Sequence, residues 1–338
     1  MKMRHFDFRH IVCGLMLAGA PAVAAAEGTT VRLARQYGIG YLQIMVMEHD
    51  RLIEKHARTQ GLSDVTVTWN TFGDGTVAND AMISGDLDVV AGGLGSFLTL
   101  WDRTRGTLAV RGVGALNSMP MLLNTRNPNV KSLKDLTEQD RIALAGVKVS
   151  SQAVTLQRAA AQLYGDANWA KLDPLTVNMP HPTAMQALLL GKGEVNAHFA
   201  SVPYQSEELK RPGIRTILNS YDVWGGPQTF ILAWTTSRFR EQNPKLYAAV
   251  LAALVEATDT INADKRRAAT IYLTMTADKS MTVDDLVRLL ADPQVRFTLT
   301  PENVVKFVAF RVAIGTIRTM PGSWKDLFFS DIHHLIGS

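Results

Sequence analysis

Strand-patterned and helix-patterned stretches alternate along most of this chain. Val31–Tyr37 reads as a strand, Gly38-Ile39-Gly40-Tyr41 as a loop, and Leu42, Met45, Val46 and Ile53 as the apolar stripe of a helix. The switch recurs at Val65, Val67 and Trp69, where Phe72-Gly73-Asp74-Gly75-Thr76 leads into a helix ending near Gly85. A third strand, Leu87–Ala91, runs into Gly92-Gly93-Leu94-Gly95-Ser96 and another helix. Successive strand–loop–helix units predict an α/β fold. Each loop brings a helix N-terminus to one side of the sheet. Such an end carries roughly half a positive charge and unsatisfied N–H groups, so three of them together suit an anion.

Val110–Asn124 carries turn signals at Gly112, Gly114, Asn117 and Pro120. A second set of units then begins. Arg141–Val149 is a predicted strand, followed by Ser150-Ser151 and a helix over Val154, Leu156, Ala160 and Leu163 that stops at Gly165. Thr176–Met179 is a short strand, Pro182 fits the first turn of the next helix, and Glu194–Phe199 is another strand. Gly225-Gly226-Pro227 interrupts before Thr229–Trp234. The pattern of 31–118 thus returns in 141–222 and predicts two similar lobes. Segments near 117–124 and 223–230 are the expected connections. Past 240 the chain is helical, opening with Asn243-Pro244 and a stripe from Leu246 to Ile261, with further helices near 265–275, 282–291 and 301–319.

The first 26 residues have the three parts of a secretory signal: basic Lys2, Arg4 and Arg9, apolar Ile11–Ala20, and small Ala24-Ala25-Ala26. Cleavage after Ala26 is expected. The single cysteine, Cys13, lies inside this segment, so the remaining chain has no disulfide, thiolate metal site or cysteine nucleophile. Losing these residues removes Lys2, Arg4, Arg9 and Asp7 and takes the formal net charge from +4 to +2. With no block of like charges, nucleic-acid binding has no electrostatic footprint.

Candidate chemistry gathers at the strand-to-helix junctions. Ser150 and Ser151 serve equally as helix caps and as donors to an anion. Ser96 has the same two readings, with neighbouring glycines that let backbone approach a ligand. Tyr37 and Tyr41 flank Gly38 and Gly40, and each joins an apolar body to a polar tip. Trp224 suits either the core or a cover over the cleft. His181 and His198 are lone histidines facing the expected cleft. Gly73, Gly95, Ser118, Gln152 and Ser201 complete the candidate ligand set. His49, His56 and His333-His334 lack metal-site spacing, so neither a metal nor another cofactor is expected. There is no nucleophile elbow and no P-loop, and Gly38-Ile39-Gly40 lacks a third glycine. No acid–base pair stands out, so an enzyme is not expected.

The chain resembles the solute-binding proteins of ABC importers, in the branch that takes taurine, aliphatic sulfonates and nitrate. The similarity rests on Arg35–Tyr41, on Ala81-Met82-Ile83-Ser84-Gly85-Asp86-Leu87-Asp88-Val89, on Gly93–Ser96 and on Val130–Leu136. It continues through Ser150-Ser151, Leu188–Ala197 and Asn243-Pro244 with its long helix. The resemblance implies a two-lobed type II periplasmic binding fold with two crossover strands and a ligand cleft between the lobes. Lobe 1 would comprise 27–118 and 229–338, and lobe 2 would comprise 119–228. It implies a periplasmic monomer that captures a small sulfonate-like oxyanion and hands it to an inner-membrane permease. A small nitrogen-containing or aromatic carboxylate compound is the alternative ligand, and a secreted enzyme on the same scaffold is the reading from another class. One run departs from the family. Where many members carry Trp-Asp-Pro-Tyr or Trp-Glu-Pro-Tyr after an Asp-Ala-Trp stretch, this chain has Asn196-Ala197-His198-Phe199-Ala200-Ser201-Val202-Pro203-Tyr204. An altered pocket is therefore expected.

Overall fold

The computed structural model describes residues 28–338 except Lys192. The expected signal segment lies outside the described residues. The first part of the chain forms β1 (Thr30–Arg35), α1 (Leu42–His49), α2 (Leu52–Thr59), β2 (Thr66–Thr71), α3 (Gly75–Ser84), β3 (Val89–Gly93), α4 (Leu94–Thr104) and β4 (Arg111–Ser118). The middle forms β5 (Leu122–Thr125), β6 (Ile142–Leu144), α5 (Ser151–Tyr164), β7 (Thr176–Asn178), α6 (His181–Leu190), β8 (Ala197–Ala200), α7 (Tyr204–Leu209), β9 (Arg215–Asn219) and α8 (Ser220–Trp224). The last part adds β10 (Thr229–Thr235), α9 (Ser237–Gln242), α10 (Pro244–Ala263), α11 (Lys265–Thr276), α12 (Val283–Leu290), β11 (Arg296–Phe297) and α13 (Val304–Ala313).

Two sheets result. The first runs β11-β4-β10-β3-β1-β2, and the second runs β7-β6-β8-β5-β9. Each has a parallel centre with one antiparallel strand inserted. β10 pairs antiparallel with β3 and β4, and β5 pairs antiparallel with β8 and β9. The inserted strand is in each case the first strand after the chain has crossed between sheets. The two crossings are tied together: Met121 N donates to Ser220 Oγ at 2.9 Å, and Ser220 N donates to Met121 O at 2.9 Å.

Several local expectations change. The helix expected through Ile53 is two helices, because Arg51 adopts a left-handed conformation at φ 53°. Residues 111–118, expected to be turn-rich, form a continuous and almost wholly buried strand. Gly112 marks a close approach here, not a turn: a Cβ would sit 2.3 Å from the Phe328 ring. The strand expected over 141–149 stops at Leu144, since Gly146 has φ +101° and the chain must reach the Ser150 cap. His56 bonds Glu256 at 2.7 Å and links α2 to α10. α10 is long and apolar enough by composition to cross a membrane, yet its Leu246, Val250, Leu254 and Ile261 are buried in the core against α1 and α2.

Candidate functional site

Four helical N-termini approach the junction between the sheets, but two are already occupied. At α3, the Asp74 carboxylate accepts from Thr76 N and Val77 N at 2.7 and 3.2 Å. An acid at that end repels an anion and fills its donors. At the short 3-10 turn Ile39–Tyr41, Ile39 N donates to Val202 O of the opposite lobe at 3.2 Å. The N-termini of α4 and α5 remain. They face each other from opposite lobes, and Gly95 N at the start of α4 donates to Ser151 Oγ at the start of α5 at 3.3 Å. Ser150 caps α5 by accepting from Ala153 N at 3.2 Å. The first turn of any helix has N–H groups with no partner inside that helix.

A deep polar nook of about 20 Å³ lies at this meeting point. That is room for a single water-sized group. Its wall comprises Gln36, Tyr37, Tyr41, Gly93, Ser96, Ala145, Ser150, Ser151, Gln152, His181, Phe230 and Ile231. No Asp or Glu is among them. Gln36 and Tyr37 also border a second chamber of about 440 Å³ nearer the surface. There Tyr204, Tyr272, Met45, Met185 and Met275 supply aromatic and apolar wall, with Arg35 and Asp278 at its sides. Arg35 is ion-paired with Glu48, and the Asp278 carboxylate accepts from Ser280 N and Oγ, both at 2.7 Å.

Electrostatics behind the nook favour an anion. The Arg311 guanidinium is buried, and its Nη1 donates to Gly95 O at 2.7 Å and Thr99 Oγ1 at 2.9 Å. Burial pushes its pKa down to about 10, with an opposing pull from Asp102, so it stays charged at neutral pH. A fixed cation thus stands one layer behind the α4 N-terminus. Burial also holds Tyr41 well above the usual phenol range. Burial and its neighbour His198 hold His181 well below the usual histidine range, so that ring is neutral at pH 7.

The structure brings together Tyr37, Tyr41, Ser96, Ser150, Ser151, Gln152 and His181 around the nook. Gly38 borders the outer chamber, at φ +111°. Gly95 packs against the Val149–Ser150 backbone, and Gly73 faces the Pro180 ring across the rim. Neither Gly95 nor Gly73 lines either cavity, and the rest lie off both as well. Ser118 is fully buried on β4 opposite Thr229. His198 is fully buried behind His181, and Ser201 sits under Gly38. Trp224 does not cover the cleft. It is fully buried, stacked on Phe307 at 4.8 Å, with Nε1 donating to Thr155 Oγ1 at 2.9 Å. The altered run His198–Val202 leaves no open space: Val202 is buried with its carbonyl bonded to Ile39 N, and Tyr204 stacks on His181 at 5.6 Å. Sequence reading missed Gln36, Gly93, Ala145, Phe230 and Ile231 in the nook and the α11 wall, Tyr272, Met275 and Thr276, of the outer chamber. Gln36, a polar residue closing an apolar strand beside Tyr37, was the one available signal.

No curated protein matches this chain. Solved structures do. The alkanesulfonate-binding protein SsuA of Xanthomonas axonopodis pv. citri, bound to MOPS, is similar at TM-score 0.68 and 18% identity over 90% of this chain and 97% of that one. The periplasmic aliphatic sulphonate binding protein SsuA of Escherichia coli is similar at TM-score 0.63 and 17% identity, over 89% and 99%. The periplasmic nitrate-binding protein NrtA of Synechocystis PCC 6803 is similar at TM-score 0.67 and 12% identity, over 86% and 83%. The fold is accordingly the two-lobed periplasmic binding fold expected from sequence. The NMT1-like family model matches residues 24–275, and the chain belongs to that family.

Proposed function

We propose that this protein is the extracytoplasmic solute-binding component of an ABC importer. It acts in the periplasm after removal of residues 1–26 and delivers its ligand to an inner-membrane permease. Residues 27–118 with 229–338, and residues 119–228, act as the two lobes. The ligand is an oxyanion of sulfonate type with an apolar body. The observation that carries this reading is the meeting of two helix N-termini from opposite lobes, α4 and α5, over one acid-free nook. One oxygen of the charged end reaches the nook, and the rest of the ligand extends into the chamber walled by Tyr204, Tyr272 and the methionines. A carrier role fits the nook, which presents hydroxyls and helix N–H groups to an anion and has no carboxylate in its wall.

Calorimetry on the purified protein with methanesulfonate, 1-propanesulfonate, MOPS, taurine and nitrate tests the proposal. One-to-one binding without chemical change is expected. Sulfonates with a larger apolar body should bind more tightly than taurine. With its sulfonate at the nook, taurine would place its ammonium in the chamber, where the Asp278 carboxylate is already engaged by Ser280, and a buried unpaired ammonium costs several kcal/mol. Micromolar binding of taurine overturns this specificity, and no binding of any of these anions overturns the ligand class. A second reading, an aromatic or nitrogen-containing carboxylate, is favoured by Tyr204, Tyr272 and Asp278 in the outer chamber, which suit a ring and an amine.

Ser151→Ala separates the contribution of the hydroxyl. Ser151 Oγ lines the nook and accepts from Gly95 N. Its loss is expected to weaken 1-propanesulfonate binding by about 1 kcal/mol, roughly fivefold, through a lost hydrogen bond. Unchanged affinity in the folded variant would remove Ser151 from the site.

A further inference from the structure

Behind the nook three buried groups form a line. His181 Nδ1 contacts His198 Nε2 at 2.8 Å, and His198 Nδ1 contacts Glu208 Oε1 at 2.5 Å. The other Glu208 oxygen accepts from Asn124 Nδ2 at 2.9 Å, and Thr216 Oγ1 donates to Asn124 Oδ1 at 2.7 Å. His198 and Glu208 have no exposed surface, and His181 is reached only from the nook, where its Nε2 lies 3.2 Å from Gln152 Nε2. The line lies on α6, β8 and α7, with its supports Asn124 and Thr216 on β5 and β9.

The geometry restricts the protons. Glu208, as a carboxylate, accepts from His198 Nδ1–H. A direct contact between imidazole nitrogens holds one proton between them. Two states satisfy both contacts. In the first, His198 Nε2 is bare and accepts from His181 Nδ1–H, so His181 presents a bare Nε2 to the nook, an acceptor that suits the Gln152 amide. In the second, one more proton has entered at His181 Nε2 and the Nδ1 proton has passed to His198 Nε2. His198 is then an imidazolium paired with Glu208, His181 is still neutral, and its Nε2–H donates into the nook. The first state leaves the line with net charge −1, and the second leaves it neutral. An oxyanion is repelled by the first state and finds a donor in the second.

We propose that His181, His198 and Glu208 form a buried proton relay that couples capture of an oxyanion to uptake of one proton and makes His181 Nε2–H a ligand donor. The inference rests on the anion reading of the nook. His181 touches the ligand, and His198 and Glu208 are positioning residues. The other titratable groups around the line are Tyr41 and Tyr37 in the nook wall and Tyr204 stacked on His181. Burial raises Tyr41 and Tyr204 above the usual phenol range, which keeps them protonated. Arg35 and Asp278 border only the outer chamber.

Calorimetry with 1-propanesulfonate, an anion that does not titrate, is run from pH 6 to 10 in amine buffers of different ionisation heats. Sulfonate buffers are avoided as competitors. The expected result is uptake of one proton per ligand and a tenfold loss of affinity for each pH unit above the relay's titration point. Glu208→Gln keeps the hydrogen-bond acceptor and removes the charge, so its affinity should be weaker at low pH and flat with pH. A wild-type affinity flat over the whole range, or a wild-type slope in Glu208→Gln, overturns the relay while leaving the carrier role intact. If no sulfonate binds, the anion reading fails separately. The relay is then read from imidazole ¹⁵N shifts of the ligand-free wild type, which also covers a Glu208→Gln protein that does not fold. His181 should switch tautomer in step with His198 gaining its charge, and independent changes in the two rings overturn the proposal.

Discussion

Gly95→Ala is expected to leave the protein folded and to weaken ligand binding at least fivefold. Gly95 lies in the first turn of α4, where alanine suits the backbone. The penalty comes from the other lobe. A Cβ at Gly95 would lie 2.3 Å from Val149 O, 2.8 Å from Ser150 C and 3.0 Å from Ser150 O. All three are backbone atoms, which cannot rotate aside as a side chain would. The methyl group is relieved only if the lobes separate, and separation pulls the α4 and α5 N-termini apart. Overpacking of this kind costs roughly 1–3 kcal/mol, or about 5- to 150-fold in affinity. The unliganded melting temperature should hold or rise slightly, because a lobe-opened form has no clash. Small-angle scattering gives the second reading. Wild type should shrink on adding ligand, through hinge closure at the two crossings, and Gly95→Ala should not. Affinity within twofold of wild type, with normal compaction, would show that the lobes do not meet this closely in the bound state.

Much of the scaffold was legible because periodicity is a local property. β1 to α4, α5, α6 and α10 follow from apolar spacing and their caps. Ser150, Ser151 and Ser96 were found because a polar residue at a strand-to-helix junction is informative in one dimension. The errors share one cause. Gly112 looked like a turn signal, but its meaning depends on Phe328, more than 200 residues later in the chain. α3 reads as a free N-terminus in sequence because Asp74 there looks like loop, whereas its carboxylate is the cap. Val202 was compared with an acid of the family pattern, whereas its carbonyl is what the fold uses, on Ile39 N.

The buried charges were the harder loss. His198 sits at the centre of Ala197-His198-Phe199-Ala200, a strand buried throughout. A buried polar group requires a partner, so that pattern predicts one without naming it. The partners, His181 and Glu208, come from helices on either side of the strand. Arg311 poses the same problem within the apolar run Val304–Ala313. Its acceptors, Gly95 O and Thr99 Oγ1, lie more than 200 positions earlier. Only the folded chain shows that this cation backs the α4 N-terminus.

Trp224→Ala is expected to give the largest loss of stability among these substitutions, about 3–5 kcal/mol for a large aromatic removed from a closed site. Trp224 ends α8, immediately before the chain returns to the first sheet. Its ring stacks on Phe307 at 4.8 Å and meets Phe310 edge-on at 6.2 Å, both on α13. On its other side are Thr155, bonded through Nε1, and the Arg158 guanidinium at 4.5 Å from the ring centre, both on α5. The indole therefore joins the C-terminal helix to the second lobe beside a crossing. Alanine leaves a void between two elements that cannot collapse without moving a lobe, and Thr155 Oγ1 loses the indole donor while keeping its own bond to Ser151 O. At roughly 2 °C per kcal/mol for a chain of this size, the melting temperature should fall by about 6–10 °C. Trp224→Phe keeps most of the stacking and loses the hydrogen bond, so about half of that loss is expected. Because Trp224 borders neither cavity, the remaining folded protein should bind 1-propanesulfonate within a few-fold of wild type. A Trp224→Ala protein as stable as wild type but unable to bind would return this residue to the cleft and overturn its assignment to the core.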